Sequence, residues 1–159
     1  MTSIERVADQ LAITELLYRY AELIDAGDFD GVGQLLARCT VGGPGSPTIT
    51  GAAAIAQLYA TTTRRYPGPA GGVGTPRTRH LVLNPIIDVA DRMASARSTF
   101  CVVQGTDTVP LQPVVVGRYY DTFERDEAGW FFVTRRMDVE FLGDTSGHLL
   151  IDPRRFGSR

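Results

Sequence analysis

The chain has 159 residues, enough for one domain with its own hydrophobic core. Apolar residues make up 43% and charged residues 21%, ordinary globular usage that excludes whole-chain disorder. With 16 basic and 18 acidic residues, the formal net charge of −2 leaves no electrostatic footprint for nucleic acid.

The opening MTSIERVADQ is polar and carries no apolar signal region, and no apolar run is long enough to span a bilayer. The expected compartment is the cytoplasm, with neither membrane nor nucleic acid as a partner. Cys39 and Cys101 lie outside any Cys-x-x-Cys motif, and only two histidines accompany them. A Cys/His zinc cluster is not expected, and both thiols read as reduced and buried.

Residues 3–26 read as a helix, because Ile4, Val7, Leu11, Ile13, Leu16, Leu17, Tyr20, Leu23 and Ile24 recur with a period near 3.6. Thr2 and Glu5 have capping-box spacing. Gly27 can take the left-handed position after this helix, and Asp28 can cap a short one over Phe29, Val32, Leu35 and Leu36. Gly42-Gly43-Pro44-Gly45-Ser46-Pro47 is a loop by composition. A third helix is expected over residues 52–64, with Ile55, Leu58 and Tyr59 buried. Residues 67–76, rich in Gly and Pro, read as a long connection that is either a mobile lid beside a pocket or a surface spacer.

Four runs rich in Val, Phe, Tyr and Thr follow, at residues 78–89, 93–104, 114–125 and 130–142. Val89-Ala90-Asp91-Arg92 and Asp126-Glu127-Ala128-Gly129 read as hairpin turns, and residues 107–113 as a longer connection. The tail after Gly143 is expected to wrap the surface or a neighbouring subunit. Helices first and strands later indicate an α+β class with an antiparallel sheet, in a single domain over residues 1–159.

Several phrases carry a family resemblance. The first helix reads Ile13-Thr14-Glu15-Leu16-Leu17-Tyr18-Arg19-Tyr20-Ala21-Glu22-Leu23-Ile24-Asp25 and is followed by Gly27-Asp28-Phe29-Asp30. Arg79-His80-Leu81-Val82-Leu83-Asn84-Pro85 opens the first long strand. Gly117-Arg118-Tyr119-Tyr120-Asp121-Thr122-Phe123, Trp130 and Phe141-Leu142-Gly143-Asp144 follow in order. Over nearly the whole chain this resembles the SnoaL-like branch of the nuclear transport factor 2-like superfamily. The resemblance implies a cone-like curved sheet wrapped around N-terminal helices. Relatives include scytalone dehydratase, bile acid 7α-dehydratase, hexachlorocyclohexane dehydrochlorinase and polyketide cyclases. Others are the largely structural small subunits of ring-hydroxylating dioxygenases.

Asp25 and His80 match the Asp–His pair of the dehydratases. A histidine is a suitable general base near neutral pH, and a carboxylate on its other ring nitrogen fixes the tautomer. A structural Asp–His hydrogen bond is the alternative. Tyr20 matches a pocket tyrosine that donates to a substrate oxygen. It lies five residues before Asp25, about 140° around an ideal helix, so the two would flank a cavity. Strict alternation puts Phe131, Val133, Arg135, Met137, Val139 and Phe141 on one face. Arg135 there either binds a ligand oxygen or pairs with Asp121. Asn84, Gln104 and Tyr119 complete the expected substrate-binding set, with a bulge at Asn84-Pro85 as the alternative for Asn84. The resemblance also implies a second strand histidine, which is missing between Ser95 and Gln104, and His148 reads as a surface residue of the tail.

The combined expectation is a cofactor-independent lyase or isomerase of dehydratase or cyclase type. It would act on a hydrophobic oxygenated small molecule and bind no metal. The alternative is a non-catalytic ligand-binding or subunit-type protein of the same fold. Aromatic residues on both faces of the last two strands, Tyr119 and Phe123 against Tyr120, and Phe131 against Trp130 and Phe132, point to a homo-dimer or homo-trimer.

Overall fold

In the computed structural model, which describes residues 2–156, helix α1 spans Ser3–Asp25. Its capping box forms as expected: Glu5 N donates to Thr2 Oγ1, and Thr2 N donates to the Glu5 carboxylate at 2.6 Å. The inner face buries Asp9, Ile13, Leu17, Tyr20, Ala21 and Ile24 at helical spacing. Ile4, Val7 and Leu11 depart from the expected stripe and are exposed. The first buried position is Asp9, whose carboxylate accepts from Trp130 Nε1 at 2.8 Å and Arg125 Nη1 at 2.6 Å. Helix and sheet first lock together there, one turn and more past the cap.

Gly27 takes the left-handed conformation with φ 74°, and Asp28 caps α2 (Phe29–Leu35) by accepting from Gly31 N at 2.8 Å. α2 packs on α3 (Ala52–Thr62) through Gly33, where a Cβ would overlap the Ala52 carbonyl oxygen. Two short strands lie between them, β1 (Thr40–Gly42) and β2 (Ile49–Thr50). The Gly-rich stretch after β1 is the turn that joins this antiparallel pair.

The 67–76 segment is not a featureless loop. It forms most of a separate two-stranded hairpin, β3 (Tyr66–Gly68) and β4 (Gly71–Thr75). Glycines at positive φ, Gly71, Gly72 and Gly74, let the chain reverse where other residues would strain. The long strands β5 (Thr78–Ala90), β6 (Met93–Gln104), β7 (Gln112–Asp126) and β8 (Gly129–Leu142) follow in a meander. The sheet order is β2-β1-β8-β7-β6-β5. β1 runs parallel to β8, so the sheet is mixed and not purely antiparallel. α1 packs against both β5 and β8, three strands apart, which requires the sheet to curl around the helix.

Bulges in the long strands change which side chains face inward. In β8 the register slips between the pairs Thr122–Thr134 and Phe123–Phe132, leaving Val133 as the extra residue. Phe132 and Arg135 therefore both point into the core, against the strict alternation expected for this strand. In β5 the register slips between Leu83 and Ile86. Asn84 sits in that bulge with φ 52° and is exposed, so it is not a pocket residue: the alternation that carries His80 and Val82 inward breaks there.

On the outer face, the Arg38 guanidinium lies 3.3 Å from the Phe131 ring centroid and that of Arg136 4.4 Å from Tyr120. The bare apolar surface is instead a row across four strands, Leu81, Cys101, Val116 and Phe141, in direct register. Leu81 is 41% and Phe141 67% exposed.

The α2–α3 contact gives the first test. Gly33→Ala places a methyl group against backbone that cannot rotate away, so unfolding in urea should show a loss of about 1–3 kcal/mol. An unchanged midpoint would mean that the two helices do not meet at Gly33.

Candidate functional site

α1 ends on a carboxylate, which is unfavourable at the negative end of a helix dipole. Three donors compensate. Thr78 Oγ1 donates to Asp25 Oδ1 at 2.8 Å, His80 N donates to Oδ2 at 2.8 Å, and His80 Nδ1 donates to Oδ1 at 2.6 Å. Burial works to raise the carboxyl's pKa, but the His80 ring, its backbone amide and the Thr78 hydroxyl outweigh it and hold Asp25 below the usual range. With Asp25 ionised, Nδ1 carries the His80 hydrogen and Nε2 presents its lone pair. Nε2 forms no hydrogen bond with any described residue.

Tyr20 stands edge-on to the His80 ring, with centroids 6.4 Å apart and planes at 88°. Its hydroxyl is 2.8 Å from that of Tyr59 on α3. Burial raises the Tyr20 pKa against the opposing effect of Arg135, so the phenol is neutral and suited to donating. The Tyr20 hydroxyl also interacts with that of Tyr119, so it is held between two buried phenols.

Arg135 makes a bidentate bond to Asp121, Nε to Oδ1 at 2.9 Å and Nη2 to Oδ2 at 3.1 Å. Both side chains are fully buried, and Asp121 outweighs desolvation to hold the guanidinium's pKa above the ordinary arginine value. The cation lies 4.1 Å from the Tyr20 centroid and 4.0 Å from that of Tyr119, which stacks on Phe100 at 4.3 Å. Arg135 therefore supports the tyrosine wall from behind and has no open surface to offer a ligand. Gln104 is also engaged: its Nε2 donates to Pro76 O and Gly147 O, both at 2.9 Å. Asp25, His80, Tyr20 and Tyr119 come together, while Arg135 and Gln104 brace them and Asn84 stands apart.

His148 is not a surface residue. It is buried at 6% exposure, and its ring centroid is 6.3 Å from that of His80. The tail brings it there by folding back over the end of α3, where Thr63 bridges to Leu149 and Arg64 N donates to His148 O at 2.8 Å. Burial, then the neighbouring His80, push its pKa down to about 4 against the opposing Asp25. Sequence reasoning also missed Thr78, although it shares strand parity with His80, and Tyr59, which was visible only as a core position. No local signal marks His148, because its placement depends on the tail's path.

The root of the β3–β4 hairpin borders the same region. Tyr66 Oη donates to Gly147 O at 2.6 Å, and a Cβ on Gly27 would lie 2.9 Å from Gly74 O. The site is nearly closed: the His80 and Asp25 side chains are 7% and 10% exposed. Two hollows of about 430 and 490 Å³ lie elsewhere, the first around Val89, Ala94 and Phe123 and the second around Arg97 and Tyr120, and neither touches the Asp–His pair. Among the described residues no cluster of His, Cys, Asp and Glu is placed to hold a metal, and no helix is long and apolar enough to cross a membrane. Both cysteines are free, and burial pushes the Cys39 thiol up to about 12.

The chain belongs to the SnoaL-like domain family, whose model matches residues 5–136. Its fold is shared with a nuclear transport factor 2-like protein of cystatin-like fold from Novosphingobium aromaticivorans, at 26% identity, TM-score 0.69 and coverage of 90% of this chain and 87% of that one. A candidate scytalone dehydratase from the same organism is similar at 21% identity and TM-score 0.69, covering 90% and 91%. The β subunit of a candidate aromatic-ring-hydroxylating dioxygenase, also from that organism, is similar at 17% identity and TM-score 0.66, covering 94% and 100%. A search among curated proteins returns no significant match.

The buried neutral His148 makes stability depend on pH. Its folded pKa of about 4 lies below the unfolded value of about 6.5, so between them the unfolded chain holds the extra proton. Stability from this group is complete above about pH 6.5 and falls by at most about 3 kcal/mol as the pH drops to about 4. The depressed Asp25 acts below that window. Denaturation at stepped pH should show the loss in the wild-type chain and a flatter profile in His148→Gln. Parallel profiles would rule out a buried neutral His148.

Proposed function

We propose that the protein is a cofactor-independent lyase or isomerase of dehydratase or cyclase type, acting on a hydrophobic oxygenated small molecule. His80 serves as the base and Asp25 as its orienting partner. The observation that carries this reading is the asymmetry of the His80 ring: Nδ1 is held by an ionised carboxylate and Nε2 has no partner among the described residues. The fold shared with the candidate scytalone dehydratase agrees with it.

In this mechanism a C–H proton next to a carbonyl passes to Nε2, and the electron pair stays on the substrate as an enolate. Asp25 stabilises the imidazolium that forms. In an elimination, the electron pair then forms the new double bond as a β-hydroxyl departs, and that oxygen recovers the proton from His80 and leaves as water. In an isomerisation the proton returns to a different carbon. Tyr20, a neutral phenol beside His80, donates to a substrate oxygen in exchange for one of its bonds to Tyr59 and Tyr119. Entry requires the β3–β4 hairpin or the tail to move, since both border the closed site. Closing again would exclude water and strengthen these interactions.

A second reading is favoured by that closure and by the fold shared with a dioxygenase β subunit: a subunit-type protein in which the Asp–His bond is purely structural. Deuterium exchange separates the two. In D₂O the wild-type chain should catalyse exchange at the α-carbons of 2-tetralone, a hydrophobic bicyclic ketone, followed by NMR. His80→Gln should slow it by about 10²-fold or more, and Asp25→Asn should slow it too through the wrong tautomer. A wild-type rate no faster than buffer, or no faster than His80→Gln, would leave the subunit-type reading in place.

We further infer a homo-dimer or homo-trimer, closed over the outer row of Leu81, Cys101, Val116 and Phe141. An apolar row across four strands, exposed at Leu81 and Phe141 and half-buried at Cys101 and Val116, is the kind of surface that a partner covers. Light scattering should give a multiple of the chain mass, and Phe141→Glu should give a monomer with little change in melting temperature. A monomeric wild-type chain at micromolar concentration would contradict the inference.

A further inference from the structure

One group beside the Asp–His pair has no part in the chemistry above. His148 sits on a segment tied down on several sides. Its amide donates to Thr145 O at 2.9 Å and its carbonyl accepts from Arg64 N at 2.8 Å. The preceding Gly147 carbonyl accepts from both Tyr66 Oη and Gln104 Nε2, and Leu150 N donates to Thr62 O at 2.9 Å. These bonds fix the position of the imidazole, yet the imidazole itself has no hydrogen bond. Its Nδ1 is fully buried and unpartnered, a cost of about 1–3 kcal/mol that packing alone does not require.

We propose that His148 is the second imidazole of the site, a neutral hydrogen-bond donor that holds the substrate's carbonyl oxygen while His80 removes the neighbouring C–H proton. This rests on the base role proposed for His80. It gives the carbonyl oxygen of that substrate a protein donor, which the base role alone leaves unassigned.

Three observations support it. The two rings, with centroids 6.3 Å apart and planes at 67°, make no hydrogen bond to each other. One substrate group contacted by both ring edges, with each N···O or N···C contact about 3 Å, needs a separation of this order. The environment also assigns the protons. Burial and the adjacent His80 keep His148 neutral, so it does not compete for the proton taken from carbon and adds no second positive charge beside the imidazolium. A neutral imidazole still carries one N–H, and a fixed donor aimed at the oxygen where negative charge develops stabilises the transition state more than the ground state. Finally, Asp25 occupies Nδ1 of His80, so Nε2 is the ring nitrogen left to meet a substrate.

The experiment uses the full chain with 2-tetralone as substrate and 2-naphthol, a planar analogue of its enolate, as ligand. His148→Phe should lower kcat for α-deuterium exchange by about 10²-fold while KM changes only a few-fold. His148→Gln, which retains an N–H donor, should recover about tenfold of that loss. In the wild-type chain with ¹⁵N-labelled histidine, 2-naphthol should shift the protonated ring nitrogen of His148, a readout independent of whether the variants fold. Exchange at the wild-type rate in His148→Phe, with His80→Gln inactive, overturns the His148 proposal and leaves the base role standing. Equal losses in His148→Phe and His148→Gln, with the His148 signal unmoved by 2-naphthol, assign it to packing and also overturn it. Absence of exchange in the wild-type chain overturns both readings.

Discussion

The Asp25 carboxylate is the constraint on which the architecture turns. It caps nothing and lies at the end of α1 where the helix dipole opposes its charge, yet it is largely buried. Its three donors all come from the first two alternate positions of β5, Thr78 and His80. A charge in this position is tolerable only while those donors are present, because an unpaired buried charge costs about 3–5 kcal/mol. The carboxylate therefore fixes where the first long strand starts relative to the first helix. The meander of β6, β7 and β8 inherits that register, and at its far side Trp130 and Arg125 close back on Asp9 of the same helix. A carboxylate near each end of α1 thus pins opposite flanks of the curled sheet.

A second charge, Arg135, acts inside this frame. A fully buried ion pair is weak evidence for stability, since desolvation offsets most of its Coulomb gain. The useful effect here is geometric. Asp121 and Arg135 face each other across β7 and β8 only because the Val133 bulge turns Arg135 inward. The guanidinium then lies against Tyr20 and Tyr119, and Tyr20 stands against His80. The ring wall beside the Asp–His pair is held by a charge pair and a strand irregularity that have no direct access to the site.

The parts of this arrangement that were legible in the sequence share one property: they depend on neighbours within a few residues. The Thr2–Glu5 cap, the Gly27-Asp28 junction and all four long strands follow from local chemistry and periodicity, and they form within one or two residues of the expected bounds. The Asp25–His80 contact spans 55 positions and was accessible only through the family resemblance. What escaped depends on tertiary context. β1 is too short to show a period, and its parallel pairing with β8 has no local signature. Two register slips divide β8, so the expected single face breaks up: Phe132 replaces Phe131 inside, Arg135 faces in as expected, and Phe141 faces out. The Gly-rich 67–76 segment became a hairpin because its glycines permit the positive φ angles of its turn. His148 looked like a surface residue because tails usually are exposed; this one is tethered by Arg64, Tyr66 and Gln104.

These tethers bear on how one fold can serve both enzymes and structural subunits. The curled sheet and its helices supply a fixed frame, and that frame alone specifies no reaction. Reaction requires a titratable group with one free face, fixed in tautomer and shielded from bulk water. Asp25 supplies the first two conditions to His80 by occupying Nδ1. Shielding comes from segments outside the frame: the β3–β4 hairpin and the tail meet at Gly147, whose carbonyl accepts from both Tyr66 and Gln104. Gln104, the last residue of β6, ties both segments to the sheet by donating to Pro76 and Gly147. The tail that carries His148 is thereby fixed to the same sheet end as the hairpin, and His148 takes its place beside His80 from those tethers.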